Sequence, residues 1–374
     1  WVRGSPAAHV SSVPATTETD SENGVISLDN ASAPADDSLE GVIAQAKLLA
    51  DGYDYDGAIN LLSSSTYASD ESVTAAIDEY NATKETLVRA DPRKVTHVFF
   101  HTLIMDTSKA FDGDSREKGY NQVMTTKDEF MKILQSMYER GFVLVRLHDV
   151  AYEVTAEDGS KHFQEGDIML PEGKKPFVMS QDDVCYYEYM DGDGFASRMI
   201  IGEDGKPTNE MKMDDGSVSV GSYDLVPLLD DFIKEHPDFS YRGAKACIAF
   251  TGYNGILGYR TQTDQDVEWT AEREANRQKE IEAVKPIIAE LKRTGWTFGS
   301  HTWGHRAWNP SRRTPSDGLT RWAAWWVPLP SCFTLTGSGP TATTGRTPAR
   351  CSNTSRARAS ESLPPWALRA SAIS

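Results

Sequence analysis

From residue 95 to about residue 305, short apolar runs alternate with amphipathic stretches, and this alternation limits the folds open to the chain. "VTHVFFHTLI" (95–104) reads as a buried strand. "TTKDEFMKILQSMYERG" (125–141) reads as a helix, with Thr126 able to cap it, Glu129 three residues on and Gly141 able to end it. "FVLVRLHDV" (142–150) and "KKPFVMSQDD" (174–183) read as strands, "YDLVPLLDDFIKEHPDF" (223–239) as a helix and "AKACIAFTG" (244–252) as a strand. A long helix in "EANRQKEIEAVKPIIAELKRTG" (274–295) leads into a last strand, "WTFGS" (296–300). Alternation of this kind predicts an α/β fold, a parallel sheet or barrel with outer helices.

The flanks read differently. Residues 1–38 are rich in Ser, Thr, Ala, Pro and Asp without apolar periodicity, and are expected to form a disordered tether of the kind found on secreted or envelope-attached proteins. In residues 39–90, "LEGVIAQAKLLADG" places Leu39, Val42, Ile43, Ala46 and Leu49 on one stripe, with Gly52 as a stop. Two further periodic segments complete a small helical module, expected to serve as a packing or spacer element. Residues 311–374 form a third composition. After His305 there is no Lys, no His, one Asp and one Glu, whereas five of the nine tryptophans lie there. An acidic, Lys-bearing chain does not ordinarily change in this way, so the segment is expected to be disordered and to follow a shift of reading frame between about residues 306 and 331.

The formal charge of −17 argues against a field that draws the chain to nucleic acid or to an anionic membrane. No run approaches the ~18 consecutive apolar residues that a membrane span needs. The four cysteines have no tight zinc spacing.

Two pairs of residues could carry chemistry. Asp182 and Asp183 end a strand, where a parallel α/β fold gathers its loops. Adjacent carboxylates repel one another, and a metal ion relieves this: one ligates while the other stays free as a base. His301 and His305 follow another strand. Four residues apart on a helical turn, two imidazoles face one side, which suits a zinc-like ion bound at about 2.0–2.1 Å. Thr302 stands where an HExxH protease motif would have its glutamate, so that reading fails. Asp191 and Asp193 match a calcium loop at two positions only and read as a turn in an insertion. "GYNGILGYR" (252–260) is Gly-rich without phosphate-loop spacing. His101 and His148 are expected to be packed core histidines.

These parts, in this order, resemble the polysaccharide deacetylase (NodB-homology) family over roughly residues 95–310. "KKPFVMSQDDVCYY" is similar to the family's TFDDG motif, with Ser180 and Gln181 in place of Thr-Phe and Val184 in place of Gly. "GAKACIAFTG" is similar to its second strand, "LKRTGWTFGSHTWGHR" to its third strand and histidine motif, and "FMKILQSMYERGFVLVRLHDV" to its upstream helix and strand.

The resemblance implies a distorted (β/α) barrel over residues 91–310, and a divalent metal, by default Zn2+, held by Asp183, His301 and His305. Asp182 would then be the catalytic base, taking a proton from the attacking water. The implied reaction is hydrolysis of N-acetyl, less often O-acetyl, groups on a polysaccharide such as peptidoglycan, a chitin-like glycan or xylan, outside the cell or in its envelope. The stretch from Asp183 to His301 is about twice the family's usual length, which implies large insertions. The family's later motifs, including a proton-donating His, have no counterpart after residue 305. The barrel is therefore expected to be incomplete at its C-terminal end, a loss that can leave the chain inactive. The alternative is a non-catalytic glycan-binding module on the same fold.

Overall fold

A computed structural model describes residues 36–263 and 267–301. The expectations for most of the tether, for His305 and for residues 311–374 lie outside the described residues.

Three helices come first: α1 (Leu39–Asp51), α2 (Tyr55–Ser64) and α3 (Glu71–Glu85). Ser38, Asp54 and Asp70 each cap one of them by accepting a backbone N–H in the first turn. Their inner stripe, with Val42, Ala46, Ala58, Leu62 and Val73, forms its own apolar cluster. The helices also dock onto the α/β part of the chain. The Tyr53 hydroxyl donates to the Asp238 carbonyl at 2.8 Å, its ring stacks on Tyr241, and the Arg242 N–H donates to the Gly52 carbonyl at 2.7 Å.

The rest is a mixed α/β fold around a parallel sheet. In chain order its main elements are β1 (Thr96–Phe100), α4 (Lys127–Glu139), β2 (Phe142–Leu144) and β3 (Lys175–Asp182), with a small antiparallel hairpin, residues 151–165, between the last two. A three-stranded antiparallel meander, β4 (Arg198–Ile201), β5 (Pro207–Lys212) and β6 (Val218–Gly221), is inserted next. Then come α5 (Leu225–Glu235), β7 (Cys247–Phe250), α6 (Ala271–Arg293) and β8 (Thr297–Ser300). The expected capping box on α4 is present, with Thr126 and Glu129 satisfying each other's backbone donors. "FVLVRLHDV" is strand only to Leu144; Leu147–Val150 is a short helix. His148 on that helix is exposed, so the expectation of a core histidine there is corrected.

β3 is the hub. It pairs in parallel with β1 through Phe177–Gln181, with β2 through Lys175–Phe177, and with β7 through Ser180–Asp182. β8 adds to the far side of β7. Among the described residues this sheet is an open path, β8-β7-β3-β1 with β2 beside β3. Strand alternation divides its side chains. Phe100, Leu144, Phe177, Met179, Ile248 and Phe250 face the main core, against α4, α5 and α6. Val178 faces a second cluster with Tyr53 and Tyr241. Because all five strands run the same way, their C-terminal ends share one rim.

Candidate metal and catalytic site

Three of the chemistry-bearing residues leave that rim directly. His101 follows β1, Asp183 follows β3 and His301 follows β8. His97, Phe99 and His101 share strand parity with Val178, Ser180 and Asp182 and lie opposite the main core. An extended continuation of β3 would send Asp183 to the face of Gln181. Instead Asp183 adopts a left-handed conformation, φ 61°, which Asp tolerates better than most residues. Its N–H donates to the Ala249 carbonyl at 3.0 Å, carrying the chain across the end of β7. The His301 N–H donates to the Phe250 carbonyl at 2.8 Å on the same strand. Two imidazoles then face the Asp183 carboxylate: His301 Nε2 is 3.8 Å from Oδ1, and His101 Nε2 is 4.0 Å from Oδ2. The three side chains are 14–19% exposed, enclosed yet reachable from solvent.

The structure therefore brings Asp183 and His301 together, as the sequence leads one to expect, while His305 lies outside the described residues. It also corrects the reading of His101 as a packed core residue. The signal that could have found it was the one used for His301, an imidazole directly after an apolar strand. Among the described residues, no three His, Cys, Asp or Glu side chains form a group ready to hold a metal ion. The chemistry of the donors suits one nonetheless: a carboxylate flanked by imidazole nitrogens is a zinc-type set.

Asp182 occupies a different environment. It is buried at the end of β3, and its Oδ1 accepts from Ser180 Oγ at 3.0 Å. Ser180 Oγ in turn lies 3.0 Å from His97 Nε2. Asp182 is thus held by a short polar chain through Ser180 to His97.

The residues at odds with the TFDDG pattern have a physical account. Gln181 Nε2 donates at 2.8 Å to Asp224 Oδ2, on a carboxylate with no exposed surface. Asp224 also accepts from the Leu103 N–H at 3.0 Å and from the Tyr186 hydroxyl at 2.7 Å, and Asn209 Nδ2 donates to that hydroxyl at 3.0 Å. Burial pushes the Asp224 carboxyl above its ordinary range despite these donors. Gln181 is polar because it serves this network, which ties the segments after β1 and β3 to the start of α5 and to the meander.

The segment after Asp183 is locked to the loop after β7. The Leu257 and Gly258 N–H groups donate to the Val184 and Cys185 carbonyls at 2.8 and 3.1 Å. Gly258 has φ 87°, and a Cβ there would lie 2.6 Å from Arg198 Cα, so this glycine of "GYNGILGYR" serves close backbone approach. The Arg260 guanidinium donates to the carbonyls of Cys185, Tyr186 and Asn254 at 3.0, 2.7 and 2.6 Å. On the same two loops, Tyr187 stacks on Tyr189, and Tyr189 and Tyr253 are exposed. Burial first, and then the neighbouring Cys185 and Asp183 groups, raise the Tyr187 hydroxyl's pKa well above the ordinary phenol range, so it stays protonated. Asp191 and Asp193 lie at a turn as expected, with Asp193 accepting from Arg116 and Tyr120.

A cleft of about 460 Å³ lies beside Tyr53, Lys174 and Asp238, at the start of β3 and so at the opposite end of the sheet from Asp183. Its lining holds no His or Cys, and the chemistry stays at the rim. No helix among the described residues is long and apolar enough to cross a membrane. No family model, curated protein or solved structure matches the chain.

Proposed function

We propose that this chain is a metal-dependent hydrolase that removes N-acetyl, or less often O-acetyl, groups from a polysaccharide, on a NodB-like barrel of which the described sheet forms a part. The observation that carries the reading is the Asp183 carboxylate faced by two imidazoles at the C-terminal rim of a parallel sheet, with a second carboxylate, bonded to Ser180, directly before it. Asp183, His301 and His305 would hold a divalent metal, Zn2+ by its donor preference; when bound it supplies Lewis-acid polarisation of the acyl oxygen and a nucleophile at neutral pH. Asp182 takes the proton of the attacking water as general base. Ser180, braced by His97, orients that carboxylate through its hydrogen bond. Tyr189 and Tyr253 offer flat apolar surface beside the site, of a kind that sugar rings pack against. Peptidoglycan, chitin-like glycans and acetylated xylan are the substrate classes this chemistry fits, and such substrates lie outside the cell or in its envelope.

The test is acetate release from chitooligosaccharide, peptidoglycan fragments and acetylated xylan, with and without added Zn2+, beside metal analysis of the purified chain. Metal-dependent acetate release supports the reading. Metal-independent glycan binding with no acetate from any substrate would replace it with a non-catalytic glycan-binding module.

A further inference from the structure

His101 has no part in the ligand set proposed above, yet its geometry toward Asp183 nearly equals that of His301. We propose that His101 is a further ligand of the metal, facing Oδ2 of the Asp183 carboxylate where His301 faces Oδ1; this inference rests on the metal reading of the site. The first support is distance. Separations of 4.0 and 3.8 Å are too long for direct hydrogen bonds, whose N···O distances run about 2.7–3.2 Å. Two donors that share one ion at about 2.0–2.2 Å lie no more than about 4.2 Å apart. Both gaps therefore fit donors facing a common ion. A tetrahedral arrangement would bring each pair to about 3.4 Å, so the side chains close in by roughly half an ångström on binding.

The second support is rigidity. β1 is paired with β3 along Thr96–Phe100, and the Leu103 N–H is anchored on the buried Asp224 at 3.0 Å, so the backbone of His101 is held on both sides. The His101 ring meets Phe99 edge-on, at 6.1 Å and 82°, a contact that orients the ring. Asp183 and His301 are pinned in the same way, each by its N–H to a carbonyl of β7. Three donors on three fixed strand ends are the arrangement a metal site needs.

The experiment titrates the full chain with Zn2+ calorimetrically and with Co2+ by visible absorption, for wild type, Asp183→Ala, His101→Gln and His101→Cys. Circular dichroism melts report on folding. Wild type is expected to bind and Asp183→Ala to lose binding. His101→Gln is expected to weaken affinity by more than the roughly 10–100-fold that loss of an outer-sphere partner costs, and to change the Co2+ spectrum. His101→Cys is expected to add a sulfur-to-cobalt charge-transfer band that wild type lacks, a signal that arises only if side chain 101 touches the ion. If wild type binds, Asp183→Ala does not, and His101→Cys shows no new band, the metal reading stands and this inference is overturned. If wild type binds neither ion, both fall together.

Discussion

Replacing Tyr186 with phenylalanine removes one oxygen from beneath the candidate site and leaves the shape of the core intact. That oxygen donates to Asp224 Oδ2 at 2.7 Å and accepts from Asn209 Nδ2 at 3.0 Å, and both partners are fully buried. A hydrogen bond to a charged group contributes about 1.5–3 kcal/mol, and a buried donor left without an acceptor costs about 1 kcal/mol more. Tyr186→Phe should therefore destabilise the fold by about 2.5–4 kcal/mol, a large share of the roughly 5–15 kcal/mol of a typical domain. Urea unfolding measures this as a lowered midpoint at unchanged slope.

The effect should depend on pH with a definite sign. Burial raises the folded-state pKa of Asp224 above its ordinary 3.8, and the Tyr186 hydrogen bond opposes that rise. A carboxyl of this kind contributes stability below about pH 3.8 that is lost as pH climbs through the raised folded value. Removing the hydroxyl raises that value further, so the loss should be larger at about pH 7 than at about pH 4. Gln181→Leu, which removes another donor to the same carboxylate, should be non-additive with Tyr186→Phe by about 0.5–3 kcal/mol in a double-mutant cycle. A destabilisation under about 0.5 kcal/mol, or one that shrinks as pH rises, would refute the reasoning.

Asp183→Ala should abolish metal binding, while Asp182→Asn should retain the metal and lose acetate release; equal metal loss in both would make Asp182 a ligand. Arg260→Ala should destabilise the loop after β3 and weaken metal affinity, and Arg260→Lys should restore little, because an ammonium cannot reach three carbonyls with one planar fork; full rescue by lysine in Zn2+ titrations would contradict this. Burial pushes the thiols of Cys185 and Cys247 up to about 12, so neither should be alkylated by iodoacetamide in the native protein at about pH 8, as peptide mass spectrometry can check.

Much of the fold was legible in local chemistry. The α4 capping box was readable because Thr126 and Glu129 satisfy donors within one turn. The strand at 175–182 was readable because a parallel strand buried on both faces needs an unbroken apolar run up to its polar end. The site was legible in part. Asp182 and Asp183 stood out at a strand end, but the sequence did not show that they separate, one braced by Ser180 and the other turned by a left-handed backbone toward two imidazoles. His101 was misread because "HVFFHTLI" resembles ordinary core when β1's place in the sheet is unknown. His148 was misread for the converse reason, an apolar setting in sequence that the short helix Leu147–Val150 turns outward.

The sequence by itself determined the main helices and the strands of the parallel sheet, and that carboxylates and imidazoles stand at strand ends; the inserted meander and the short helix Leu147–Val150 came only from the structure. Propensity, capping and periodicity act within a few residues and can be read from a few residues. Only the tertiary structure decided which strand ends are neighbours. β3 takes β1 on one edge and β2 and β7 on the other, and that order, set by how the apolar faces pack, brings residues 101, 183 and 301 around one carboxylate.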